Sequence, residues 1–306
     1  MRRLGETGFG EKESITVFKL VANEVWAFDA EWAPDTISGR AAYDLANEMS
    51  DADVIEEMWK RGGATEENPH PYLKTALCRI VSVAVVRRRA GPGREVRLDL
   101  FSLPSPDQPD VPEASIVGRF LDAVGKAKPQ LVGFNSISAD LVIFVQRAVA
   151  NGLTAPAFCK RPDKPWEGVD YFARGSDWHV DLREELGGWG RSGSTLHEIA
   201  TACGIPGKLD VSGDNVADMW FGSDRRRIVQ YNECDSITTY LLWLRTAHFG
   251  GFLSTDEYMA EQRQFHEMLE NKASDPSNDH LVRYLDRWDA LRQRRDPEPP
   301  QFAPNS

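Results

Sequence analysis

Asp29 and Glu31 interrupt the apolar run of Val25-Trp26-Ala27-Phe28-Asp29-Ala30-Glu31-Trp32-Ala33-Pro34. The run reads as a buried strand. Side chains two apart on a strand share a face, so both carboxylates converge on one point. Unpaired, they would repel each other and resist burial. A divalent cation removes both penalties, and hard oxygen ligands suit Mg²⁺ or Mn²⁺. The competing reading is a strand that ends at a polar turn. Further acids follow downstream. Asp140 stands between a short apolar strand, Gln130–Phe134, and a helix over Leu141–Asn151. There it is either a simple N-cap or a third acid on a neighbouring strand-to-helix corner. Tyr231 and Asp235 lie four apart in a helical pattern over Asp224–Leu244, which puts them on one face. An aspartate on an apolar helix face is costly unless partnered, and a tyrosine one turn before it supplies a donor.

The elements that must hold these residues can be read in order. Ile15–Leu20 reads as a short strand leading into the Val25 strand. Residues 35–71 form a long insertion, with helical spacing over Ala41–Lys60 and loop over Gly62–Pro71. A connection of this length next to a candidate site is either a functional flap or a solvated surface helix. Leu77–Val86 is a β-branched strand. Gly91-Pro92-Gly93 marks a turn, and Arg94–Leu103 alternates as the return strand. Arg87-Arg88-Arg89 reads as a solvated hairpin tip. Glu113–Lys126 is an amphipathic helix. His179, in a short strand ending at Asp181, reads as a packing residue. Ser194-Thr195-Leu196-His197-Glu198 has the form of a capping box. Gly204-Ile205-Pro206-Gly207-Lys208 is either a helix C-cap and turn or a loop that offers Lys208 to a phosphate. Ser254–Arg295 reads as two charged helices broken at Asp275-Pro276.

With 306 residues, 41% of them hydrophobic, the chain can bury a large core. No apolar run is long enough to span a bilayer, and the start shows no charged-then-apolar signal pattern. Four scattered cysteines form no C-x-x-C pair, so no zinc site or disulfide framework is expected. The expectation is a cytoplasmic protein without membrane attachment. A net charge of −11 argues against loose nucleic-acid binding through phosphate neutralisation. It does not exclude a nuclease, because bound metal makes a local cationic site on an acidic protein.

Taken together, the four acids and the tyrosine resemble the tyrosine-bearing branch of the DEDD superfamily of 3′–5′ exonucleases. Phe28-Asp29-Ala30-Glu31 resembles that family's F-D-x-E. Asn135 to Asp140 keeps the Asn-to-Asp spacing of its second motif, and Tyr231 to Asp235 matches Y-x-x-x-D. One subgroup is closer, the stand-alone exonucleases related to the exonuclease domain of family B DNA polymerases. His179-Val-Asp-Leu, Gly204-Ile-Pro-Gly-Lys-Leu-Asp and Tyr231-Asn-Glu-Cys-Asp, followed by Thr239-Tyr240 and Leu244-Arg245, resemble its pattern. Ala139 departs from the usual aromatic before the second-motif aspartate, and Trp32 from the common Thr.

The resemblance implies an α/β fold, a ribonuclease H-like mixed sheet flanked by helices with a C-terminal helical extension. It implies an exonuclease domain over residues 13–253 (insertion 35–71), a helical extension over 254–296 and a disordered tail at 297–306, with no polymerase domain. It further implies two Mg²⁺ or Mn²⁺ ions about 3.5–4 Å apart, with Asp29 bridging. Glu31 and Asp235 would complete the first site, and Asp140 would serve the second, partly through water. Tyr231 would orient the attacking water. Trp32, Phe134, Asn135 and Lys208 are the expected substrate-binding residues, with the aromatics stacking bases. The implied substrate is a single-stranded nucleic acid with a free 3′ end, DNA before RNA, and the products are nucleoside monophosphates. A catalytically inactive binding or scaffold module and a ribonuclease H-type endonuclease are the alternatives. An intact acid set argues against the first and Tyr231 against the second.

Overall fold

The computed structural model describes residues 18–93, 95–187, 193–209 and 216–294. The chain runs β1 (Glu24–Pro34), α1 (Thr36–Tyr43), α2 (Asp51–Arg61), β2 (Cys78–Ala90), β3 (Val96–Leu103), α3 (Glu113–Ala127), β4 (Gln130–Gly133), α4 (Asp140–Ala150) and α5 (Pro156–Cys159). It continues with β5 (His179–Asp181), α6 (Leu182–Gly187), α7 (Leu196–Ala202), α8 (Val216–Phe221), α9 (Arg225–Phe249), α10 (Thr255–Ala273) and α11 (Asp279–Arg294). The five strands form one mixed sheet in the order β3-β2-β1-β4-β5. β3, β2 and β1 pair antiparallel, while β1–β4 and β4–β5 pair parallel. This is the ribonuclease H-like α/β architecture that the sequence implied.

Parity along β1 decides what each face does. Trp26, Phe28 and Ala30 enter the core beneath α3 and α4, where Phe120 and Phe144 stack at 4.4 Å. Val25 and Ala27 enter the other core, shared with α9. Asp29 and Glu31 continue that second parity. They therefore point to the α9 face before any tertiary detail is invoked. α10 and α11 close the same core, with Phe265, Tyr284 and Trp288 fully buried.

Buried ion pairs fix the elements around the site. Arg147 on α4 grips Glu113 at the start of α3 through two hydrogen bonds of 2.7 and 2.6 Å, and Asp35 just after β1 at 3.0 Å. Removing one member of such a set leaves an uncompensated buried charge, at a cost of roughly 3–5 kcal/mol. The clamp thereby locks the end of β1 against the helix that Asp140 opens. Glu233 on α9 accepts from Ser102 on β3 at 2.6 Å and from His280 on α11 at 2.7 Å.

Several local expectations need correction. Arg88 is not at a solvated tip. It is buried and paired in two-pronged fashion with Glu261, because α10 covers that face of β2, while Arg87 points the other way to Asp99. Residues 41–60 are not one helix. Asp44 turns left-handed (φ 53°) and ends α1, and Ser50 accepts from the Asp53 amide to start α2. The N-capping preference of serine overrides the helical spacing. Of the expected strand Ile15–Leu20, the described residues 18–20 form no strand. Leu20 is tied instead to the Gln130 side chain, which donates to its carbonyl at 2.6 Å. Residues 15–17 and the tail 297–306 lie outside the described residues. The capping boxes at Thr195–Glu198 and Ser254–Glu257 both form.

Candidate active site

The acids meet past the middle of β1, at its carboxyl end, where ligands of parallel-sheet proteins gather. Carboxylate oxygens of Asp29, Glu31 and Asp235 lie within 4.8 Å of one another. Asp235 is delivered by α9, which crosses the β1 face that carries the two strand acids. Asp140 is set slightly apart. Its Oδ1 accepts the Ala30 amide at 3.1 Å, so it is pinned to the β1 backbone between the two strand acids. All four line one cavity of about 290 Å³. Tyr231 lies one turn before Asp235, and its hydroxyl donates to that carboxylate.

A β-bulge sits at this point. Glu31 pairs with Ser82 but Trp32 pairs with Ile80, which leaves Val81 extra on β2. Bulges re-aim side chains and recur beside active sites. On the far side, β4 ends at Gly133, where an added Cβ would come within 2.3 Å of Ser136 Oγ. The tight reversal that follows puts Asn135 in the left-handed region at φ 64°, a conformation asparagine tolerates better than most residues. Asp181 at the end of β5 holds it there, accepting the Asn135 amide at 2.8 Å and the Ile137 amide at 3.0 Å.

The electrostatics are those of a site built for cations. Burial, followed by the neighbouring acids, holds the carboxyls of Asp29 and Glu31 well above the usual range. Burial pushes Asp140 up to about 7 and Asp235 up to about 6, the latter opposed by Lys208 and by the Tyr231 hydrogen bond. Four carboxyls that resist ionisation together, three of them with converging oxygens, fit divalent metal bound through oxygen ligands.

A pH dependence of stability follows. Groups with raised folded pKa stabilise the fold while protonated and lose that contribution as pH rises through the folded value. His179 acts oppositely, since burial lowers it to about 4, but its effect fades within about one unit above pH 6.5, as an unfolded histidine becomes neutral too. Between pH 6.5 and 8.5 the metal-free protein is therefore expected to lose melting temperature. Mn²⁺ should restore more of it at pH 8.5 than at pH 6.5. Thermal melts in chelator and in Mn²⁺ check this, and an equal metal effect at both pH values contradicts it.

The structure brings Trp32, Phe134 and Asn135 to the cavity wall together with the acids. Lys208 stands beside them, its Nζ 5.8 Å over the Tyr231 ring and its charge lowering the pKa of Glu31 and Asp235. His179 is a packing residue, hydrogen-bonded to Ser136 Oγ at 2.9 Å and to the Tyr171 carbonyl at 3.0 Å. Sequence reasoning missed Asn232 and Ser82. Asn232 Nδ2 donates to Asp29 Oδ2 at 2.7 Å, and Ser82 Oγ donates to Asn232 Oδ1 at 2.9 Å. Both side chains are fully buried. The relay orients the carboxylate that stands among the other acids. Its one sequence signal was a polar residue directly after Tyr231. Asp181 caps the turn that follows β5, accepting the Arg183 amide at 3.0 Å, and its carboxylate also holds Asn135.

No curated protein matches the chain. A family model described as "Predicted 3'-5' exonuclease related to the exonuclease domain of PolB" matches residues 70–288. The match contains Asp140, Tyr231 and Asp235. Asp29 and Glu31 lie before it, and the fold brings them to those three. With well over half of its length matched, the chain belongs to the family of predicted 3′–5′ exonucleases related to the exonuclease domain of PolB.

Proposed function

We propose that the protein is a metal-dependent 3′–5′ exonuclease of the tyrosine-bearing DEDD type, which hydrolyses the terminal phosphodiester of a single-stranded nucleic acid, DNA in preference to RNA. The observation that carries this reading is the convergence of Asp29, Glu31 and Asp235 oxygens within 4.8 Å, with Asp140 pinned beside them. Asp29, Glu31 and Asp235 would hold one Mg²⁺ or Mn²⁺, and Asp29 with Asp140 would hold a second. Bound there, the two ions supply an activated water near neutral pH and charge stabilisation for the leaving 3′ oxygen.

The rest is done by the chain itself. Asn232, fixed by Ser82, keeps the Asp29 carboxylate in one orientation. Tyr231 is held neutral, because burial and then the adjacent carboxylates push its hydroxyl up. With its hydroxyl proton donated to Asp235 in a hydrogen bond, its oxygen orients water as a hydrogen-bond acceptor and does not act as a base. Trp32 and Phe134 hold the terminal base by stacking. Lys208 neutralises part of the phosphate charge. The proposed domain limits are those read from the sequence, with the exonuclease unit over residues 13–253 and residues 254–296 as its helical extension. The proposed place of action is the cytoplasm.

The test uses a strand labelled at its 3′ end. Release of labelled mononucleotide in Mg²⁺ or Mn²⁺, and none in chelator or Ca²⁺, is expected. Release of oligomers would indicate an endonuclease, no release a binding module, and full activity in chelator would remove the two-metal reading.

A further inference from the structure

The insertion after β1 returns to the acid cavity carrying aromatic rings. Trp59, near the end of α2, packs on the core beneath α3 and α4. The exposed ring of His70 stacks on it, with centroids 4.0 Å apart and planes at 25°. A second pair has the same build. Trp32 packs on the same core, and Tyr72, 74% exposed, meets it edge-on at 6.1 Å. In each pair a tryptophan is anchored in the protein and a second ring lies outward on it. All four rings line the cavity that holds Asp29, Glu31, Asp140 and Asp235.

Charge argues for what these rings meet. The described residues that line the cavity include no Lys or Arg, and the chain carries a net −11. Beyond the metal ions proposed for the acids and Lys208 beside Tyr231, side-chain neutralisation of phosphate, the usual source of nucleic-acid affinity, has little to work with in this wall. Stacking of bases on aromatic side chains is a further sequence-tolerant source, at about 1–3 kcal/mol per base. Unpaired bases present the π-face that stacking requires, whereas a duplex keeps its bases within its own stack. The cavity is also at the small end of ligand sites, which run from about 300 to 1,000 Å³.

We infer that Trp59 and His70, with Tyr72 on Trp32, form a stacking wall that binds the unpaired bases at the 3′ end of a single strand and adds affinity for them beyond that of the phosphate contacts. The inference rests on the nuclease reading of the acid site. Trp59 lies before residue 70, where the family match begins, so the wall joins a segment outside that match to residues within it.

The experiment pairs a protein change with a substrate change. Binding of a dye-labelled single-stranded DNA is measured by fluorescence anisotropy in Ca²⁺, and turnover in Mn²⁺. Two strands are compared, one normal and one abasic at its two 3′-terminal positions. The Trp59→Ala/His70→Ala protein is expected to bind the normal strand roughly 10-fold more weakly, the scale of one lost base stack. On the abasic strand it should match the unchanged protein, because the partner of the wall is already gone. Trp59→Phe should recover much of the loss and guards against a folding defect. Unchanged affinity for the normal strand, or an equal loss on both strands, overturns the inference. Failure of the unchanged protein to release mononucleotides in Mn²⁺ would count against the exonuclease reading itself, whatever the binding shows.

Discussion

Asp29→Ala is expected to lower turnover by at least about 10³-fold, beyond the loss of one catalytic hydrogen-bond donor, and to leave the fold in place. The reason lies in the position of the side chain. Asp29 is the acid whose ionisation is opposed, after burial, by Glu31, Asp140 and Asp235 in turn, so it stands where all the other carboxylates are felt. In the proposed site it is shared by both ions, and no neighbour can take over that role. The effect on stability has two opposing parts. Removing one of four crowded carboxyls relieves repulsion. Leaving Asn232 Nδ2 without its acceptor costs about 1–3 kcal/mol. The two offset, so the melting temperature in chelator should move by only a few degrees, while the gain on adding Mn²⁺ disappears. Rate measurements and thermal melts on the same preparation decide the matter. A variant that unfolds yet retains activity would make Asp29 a structural residue.

The parts of this site that could be read from sequence are those set by local periodicity. A period of two put Asp29 and Glu31 on one face, and a period of 3.6 put Tyr231 and Asp235 on another. Their meeting needed only that α9 cover the face shared by Val25 and Ala27, which the structure shows. Contacts between distant positions were not legible. Ser82 and Asn232 are 150 residues apart, and nothing local to either residue names the other. The same holds for Arg88 and Glu261, where an arginine in a charged run looked solvated until α10 was in place. The helix break at Asp44–Ser50 was visible in principle, since Ser50 and Asp53 form a capping pair, but the amphipathic spacing around it was the louder pattern. Trp59 and His70 belong to different parts of the insertion, a helix and a loop. Only the return of the chain stacks one ring on the other.

Tyr231→Phe tests the chemistry most directly, because it removes one hydroxyl and no carboxylate. The ring stays, so its packing and the Lys208 contact above it remain possible. Metal affinity and strand binding are expected to be nearly unchanged. The chemical step should slow by roughly 10²–10³-fold, the scale of losing one hydrogen-bonding group in a preorganised site. A base would show a different signature. Burial and the adjacent acids keep the hydroxyl protonated, so no limb of the pH–rate profile should belong to Tyr231, and the profile of the variant should keep its shape at reduced height. Asp235→Asn separates the two roles on this helix face. It weakens an oxygen ligand, so raised Mn²⁺ should recover part of its activity, whereas no metal concentration should recover Tyr231→Phe. Metal rescue of the tyrosine variant, or an unchanged rate in it, would move the orientation of water to another hydrogen-bonding group.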